Sequence, residues 1–139
     1  MNAILVPIGS TAEAQRAAER VIARYRAEPV DVHLLNVQRP LPRHVARFFP
    51  RSELQSFHHD AGMHVLDPAM RALDAAGIPH HDHVVVGHAA EAIVRFAARV
   101  GCADVLLEPA EGGLRALFHA GSVGNQVRHL MRAGGDAAV

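Results

Sequence analysis

The fold is decided by residues 3–37, which read AILVPIGSTAEAQRAAERVIARYRAEPVDVHLLNV. Residues 3–8 form an apolar run that is too short for a helix and ends at Gly9, which predicts a strand buried on both faces. Ser10 and Thr11 are helix-capping residues, and apolar side chains then recur at three- and four-residue spacing until Pro29. Residues 30–37 are again mostly apolar. This stretch therefore predicts a strand, an amphipathic helix and a second strand.

The same alternation continues along the chain. A helix is predicted over about 52–76, in which Pro68 should introduce a kink or an interruption. Its apolar positions are Leu54, Phe57, Ala61, Val65, Met70, Leu73 and Ala76. Strands are predicted at 83–86 and 104–107, helices at 89–100 and 123–132, and a proline-containing loop at 39–42.

Strands that are joined by helical crossovers must run parallel. We therefore predict an α/β fold, an open three-layer sandwich that is Rossmann-like, with a mostly parallel sheet of four or five strands. A chain of 139 residues has room for one such domain, which we assign to residues 1–139.

Composition excludes several classes of function. The 14 basic residues are all Arg, so catalysis through a lysine amine is impossible, and they balance 14 acidic residues to zero net charge. Cys102 is the only cysteine and cannot form an internal disulfide or a cysteine-rich zinc site. There is no long basic run, no targeting signal and no apolar stretch of about 18 residues. We expect a cytoplasmic protein that binds neither nucleic acid nor a membrane.

Four segments, taken in order, resemble the universal stress protein family. They are ILVPIGS at 4–10, HLLNV at 33–37, GHAAEAIVRFAARVGCADVLL at 87–107 and GGLRALFHAGSVGNQVRHL at 112–130. The resemblance covers almost the whole chain. It implies a five-stranded adenine-nucleotide-binding sandwich of the adenine nucleotide alpha hydrolase type, usually a homodimer.

The chain also departs from the family pattern. ATP-binding members carry G-x2-G-x9-G-[ST] after the fourth strand, and here Glu108 and Glu111 stand at the first two glycine positions. The aspartate expected after the first strand is also missing, because Ile8 is followed directly by Gly9. A carboxylate facing a phosphate opposes binding, so we expect that tight ATP binding has been lost.

The resemblance implies a vestigial nucleotide site. Its residues are Pro7, Ile8, Gly9, Val37, Gly112, Gly113, Gly121, Ser122 and Val123. We expect no cofactor there, and the alternative is weak binding of ATP or AMP. The expected function is a non-enzymatic stress-response module acting through dimerisation and contacts with a protein partner, and the alternative is a nucleotide sensor of weak or altered affinity.

Histidines offer a third possibility. His81 and His83 should point to one face of a strand, and His80 and Asp82 to the other. The first pair could hold zinc with a third ligand such as His88, but we favour surface histidines in a chain that uses Arg and His in place of Lys, and we expect no metal. No catalytic triad is expected, because helix capping accounts for Ser10. Phe48 and Phe49 either cover the core or form a contact surface.

Overall fold

The computed structural model describes residues 1–107 and Val127 of the chain. Its helices and strands alternate as the sequence predicts. In chain order they are β1 (Ala3–Pro7), α1 (Thr11–Ala27), β2 (Asp31–Gln38), α2 (Arg43–Ala46), α3 (Arg51–Ala75), β3 (His80–Val86), α4 (Ala89–Val100) and β4 (Asp104–Val105). The predicted helix at 123–132 lies outside the described residues apart from Val127, which is helical and fully buried.

The four strands form one parallel sheet in the order β3-β2-β1-β4. Its register pairs Leu5 with both His33 and Val105, and pairs His33 with His81. Helices cover both faces: α1 and α3 pack with one apolar cluster, and α4 packs with the other. The predicted three-layer α/β fold is confirmed.

Helix α3 departs from two expectations. It runs without a break for 25 residues through Pro68, which removes one backbone donor but is flanked by the fully buried Leu66 and Ala69. Packing on both sides of Pro68 therefore maintains the helix. The first part of the buried stripe also lies one position away from the predicted one, because His58 is buried whereas Phe57 is 54% exposed, while the predicted Leu73 is fully buried.

Gly62 explains this rotation of α3. A Cβ at Gly62 would lie 2.5 Å from Cγ1 of Val84 in β3, so only glycine allows the helix to approach the sheet this closely. A helix that turns Gly62 toward the sheet also turns His58, one turn earlier, toward the interior.

The remaining differences are at the ends of elements. Strand β3 begins at His80 rather than at residue 83, because its first residues pair with β2 from Val32 onward. Strand β4 ends at Val105, two residues earlier than predicted. The segment after the proline loop contains the short helix α2. Gly77 and Gly101, both with positive φ, follow the ends of α3 and α4. None of the described helices is long and apolar enough to cross a membrane.

Candidate functional site

The carboxyl ends of β1 and β4 define a crevice in the sheet. These strands are neighbours, and the chain leaves β1 toward β2 on the other side, which makes this the point where strand order reverses. Ligands of open α/β sheets bind at such points. The predicted residues Pro7, Ile8 and Gly9 lie at the end of β1, and Val37 lies near the end of β2. The other predicted site residues, Gly112, Gly113, Gly121, Ser122 and Val123 with Glu108 and Glu111, lie outside the described residues.

A carboxylate of the chain itself lies at the mouth of this crevice. The Gly9 amide donates to Oε2 of Glu13 at 2.7 Å, and the Glu13 amide donates to Oγ of Ser10 at 3.2 Å. Ser10 is thus the N-cap of α1, as predicted from the sequence. Glu13 lies in the first turn of α1, where the helix dipole and free amides favour a negative charge. The anion-attracting end of α1 therefore already holds an anion.

Three further hydrogen bonds hold the same edge of the sheet. The buried Asn36 donates to the carbonyl of Ile8 at 2.8 Å and accepts from Gln38 at 2.6 Å. Arg20 of α1 donates to the carbonyl of Leu107 at 2.7 Å, immediately before Glu108. These bonds fix the chain where β1 ends and where the segment carrying the two glutamates begins.

A second polar cluster lies at the opposite end of the sheet, near the amino ends of β2 and β3. Nε2 of His33 lies 3.2 Å from Oδ2 of Asp31, and Nε2 of His81 lies 3.1 Å from Oδ1 of the same carboxylate. Nδ1 of His33 lies 3.0 Å from Nε2 of His83. The rings of His33 and His81 stack with centroids 4.6 Å apart. One carboxylate thus joins two imidazoles, and a third imidazole supports them.

The third imidazole, His83, also contacts α4. Its ring packs against the Phe96 ring with centroids 4.6 Å apart. The Arg99 guanidinium lies over the same Phe96 ring, 4.8 Å from the ring centroid. Burial, followed by the neighbouring His33 and His81, lowers the pKa of His83. A neutral ring can both donate and accept, which is what a bond to another imidazole requires.

On the other face of β3, His80 lies between two carboxylates. Its Nε2 lies 2.8 Å from Oδ1 of Asp74, and its Nδ1 lies 2.6 Å from Oδ1 of Asp82. Burial lowers the pKa of His80, but the hydrogen bonds to both carboxylates outweigh it, so the pKa is raised. This is the pattern of an imidazolium that donates from both nitrogens.

The structure therefore places His81 and His83 on one face and His80 with Asp82 on the other, as the sequence predicts. It does not bring His88 to His81: His88 is the N-cap residue of α4, beyond the opposite end of β3. Asp31 and His33 lie beside His81 instead.

Sequence analysis missed Asp31 and His33, and also Glu13. The signal for the first pair was present as D-x-H on β2 and H-x-H on β3, but it becomes a site only when the two strands are neighbours in this register. Cys102 lies half-buried in the α4-side cluster. Burial and the charge of Asp31 raise its pKa.

Comparison with known proteins decides the family. The sequence model of the Universal stress protein family matches residues 1–132. The chain belongs to this family. No match was found among curated proteins.

Solved structures show the same fold as this universal stress protein. The hypothetical protein MJ0577 is 25% identical with a TM-score of 0.68, and the match covers 92% of this chain and 88% of that one. A universal stress protein in complex with cAMP is 18% identical with a TM-score of 0.64, covering 92% and 90%. The Archaeoglobus fulgidus universal stress protein in complex with dAMP is 19% identical with a TM-score of 0.61, covering 91% and 89%.

Proposed function

We propose that this universal stress protein is a non-enzymatic, cytoplasmic stress-response module that acts through dimerisation and protein contacts and does not bind ATP tightly. The observation that carries the proposal is the contact between the Gly9 amide and the Glu13 carboxylate, 2.7 Å long, at the mouth of the crevice. A nucleotide phosphate entering there would have to displace or face this charge.

The magnitude of that repulsion supports the proposal. Two like charges about 4 Å apart at an effective dielectric near 20 repel by roughly 4 kcal/mol, which corresponds to about a thousandfold in affinity. Glu13 is solvent-accessible, so screening reduces its own share to about 1 kcal/mol, or about fivefold in affinity. Glu108 and Glu111 add two carboxylates at sequence positions where ATP-binding relatives carry glycine.

Exposed aromatic side chains support a role in protein contacts. Phe48 is 71% exposed, and Phe49 and Phe57 also lie largely in solvent within the same α2–α3 segment. Arg47 lies over the Phe48 ring, 4.9 Å from its centroid. Of the two roles considered for the Phe48–Phe49 pair, a contact surface is the one that fits their exposure.

The alternative function is a sensor for an adenine nucleotide with one phosphate. Two structurally similar proteins were solved with cAMP and with dAMP. A single phosphate needs fewer donors than a triphosphate, so it depends less on the two glycine positions occupied by Glu108 and Glu111. Pro7, Ile8 and Gly9 with Val37 would then hold the base and ribose.

Calorimetric titration of the purified chain with ATP and with AMP tests the two functions. We expect an ATP Kd of about 1 mM or weaker, which at 1 mM ligand stabilises the fold by only about 0.4 kcal/mol. A micromolar Kd for ATP would contradict the proposal, and a micromolar Kd for AMP alone would establish the alternative.

Assembly and catalysis need separate measurements. Sedimentation equilibrium over a hundredfold range of concentration should give the mass of a dimer, and a mass near 14.9 kDa throughout would contradict dimerisation. Incubation with ATP should release no more phosphate than buffer does, and turnover above that background would show an enzyme.

A further inference from the structure

We infer that Asp31, His33 and His81 form a binding site for a divalent transition-metal ion, with Zn²⁺ the best fit. Each residue offers one ligand atom, and the three atoms lie within 4.8 Å of one another. The site lies at the amino ends of β2 and β3, whereas the proposed nucleotide crevice lies at the carboxyl ends. The inference does not rest on the proposed function.

The donor spacing is close to what a tetrahedral ion needs. Bonds of about 2.0–2.1 Å at tetrahedral angles place neighbouring ligand atoms about 3.3–3.4 Å apart. Oδ2 of Asp31 lies 3.2 Å from Nε2 of His33, and the other oxygen, Oδ1, lies 3.1 Å from Nε2 of His81, so the carboxylate must turn to present a single oxygen to the ion. Two imidazoles with one carboxylate suit Zn²⁺ and leave a coordination position for water.

The strands hold two of the ligands in place. Asp31 and His33 are two residues apart on β2, so their side chains share a face, and the His33 side chain is only 9% exposed. His81 is the register partner of His33 on β3, and its side chain is 58% exposed. The rings are nearly parallel, at 17°, so an ion requires one of them to tilt. The exposed His81 is free to do so.

His83 supplies the supporting contact that metal-binding histidines usually have. When Nε2 of His33 binds a metal, the ring proton must be on Nδ1, and this N–H faces Nε2 of His83 at 3.0 Å. His83 can therefore hold the His33 ring in the orientation that directs its Nε2 at the metal.

The His80 cluster shows why the Asp31 cluster is different. Both nitrogens of His80 face separate carboxylates, on opposite sides of one ring. With each nitrogen engaged by its own carboxylate, such a ring presents no free nitrogen to a metal. At the other cluster, two imidazole nitrogens converge on one carboxylate, and a metal ion can take the place of the hydrogen bonds between them.

Calorimetric titration of the chelator-treated full chain with ZnCl₂ tests the inference. We expect a site with one Zn²⁺ per chain that is weakened by more than about 100-fold in His81→Ala, beyond the usual cost of losing only an outer contact. His59→Ala, which removes an exposed imidazole from α3, is the matched control and should leave that site unchanged. Equal affinities in His81→Ala and the wild type, or no binding by the wild type, would overturn the inference.

A second variant and a second readout separate ligand loss from misfolding. Asp31→Asn keeps the size of the side chain and removes its charge, and it should weaken the same site while circular dichroism shows an intact fold. In histidine-labelled protein, Zn²⁺ should shift the ring Nε2 resonances of His33 and His81 in the wild type. Shifts confined to other histidines would overturn the assignment.

Discussion

Glu13 closes a ring with Gly9: Oε2 accepts the Gly9 amide proton at 2.7 Å across the first turn of α1. Gly9 lies two residues after the end of β1, so the contact joins the end of this inner strand to the start of the helix. A helix N-terminus at the carboxyl edge of a parallel sheet is where such folds bind ligand anions. In this protein, the Glu13 carboxylate of α1 occupies the place of such a ligand anion.

Replacing this carboxylate should strengthen nucleotide binding. Glu13→Gln keeps an acceptor for the Gly9 amide and removes the charge, so we expect the ATP Kd to fall about fivefold, in line with an exposed charge interaction of about 1 kcal/mol. The free energy of unfolding should drop by about 0.3–1 kcal/mol, because the helix dipole loses its partner. Glu19→Gln, the same change farther along α1, is the control for calorimetry. Equal effects of the two variants on ATP affinity would contradict this account.

Restoring the family glycines should also strengthen binding. The double variant Glu108→Gly with Glu111→Gly removes two carboxylates and gives the loop backbone freedom near the phosphates. We expect a larger gain in ATP affinity than Glu13→Gln produces, measured by the same titration. An unchanged Kd would mean that the aspartate missing after the first strand dominates the loss.

Gly62 is predicted to tolerate no side chain. In Gly62→Ala, the new Cβ would lie 2.5 and 2.6 Å from the two methyl carbons of Val84. The strain should lower the free energy of unfolding by about 1–3 kcal/mol. At Gly87, where the nearest atom to an added Cβ is 3.7 Å away, the alanine variant should be nearly neutral. Urea unfolding of both variants measures this, and equal losses would show that close packing is not the cause.

The contacts of His80 with Asp74 and Asp82 should make the free energy of unfolding depend on pH. The folded-state pKa of His80 is raised, so the native state binds this proton more tightly than the unfolded chain does. The stabilisation that protonated His80 gives the fold is complete below the unfolded-state pKa of about 6.5. It is lost as the pH rises through the folded-state pKa. His80→Asn should therefore lower the free energy of unfolding more at about pH 5.5 than at about pH 8. His59→Asn should show no such difference, and a larger loss at the higher pH would reverse our assignment.

Much of the fold could be predicted because local signals agreed with the tertiary structure. Three local patterns each predict a single structure, and the structure confirms all three. They are the apolar run before Gly9, the helix cap at Ser10 and the glycine after α4. Helix α3 could not be placed as well. Its rotation depends on a contact between Gly62 and Val84, which no local pattern encodes.

The candidate sites were less accessible to sequence reasoning. Periodicity could predict that His81 and His83 share a face, but the neighbour across the sheet depends on strand order and register. Asp31 and His33 therefore went unnoticed, although both lie in a predicted strand. The Glu13 contact was missed for another reason: its spacing from Ser10 matches a helix cap, and capping hides the fact that the carboxylate reaches Gly9.

The position of β3 at an edge of the sheet has a consequence for solubility. An edge strand presents unpaired backbone groups to which a strand of another chain can add, and a protein without net charge has little long-range repulsion to prevent it. The first four residues of β3 are three histidines and one aspartate, with polar side chains on both faces, which leaves only the three valines at 84–86 as an apolar run. Stacked aggregates need about six such residues. The histidines of β3 therefore also protect this strand from edge-to-edge aggregation.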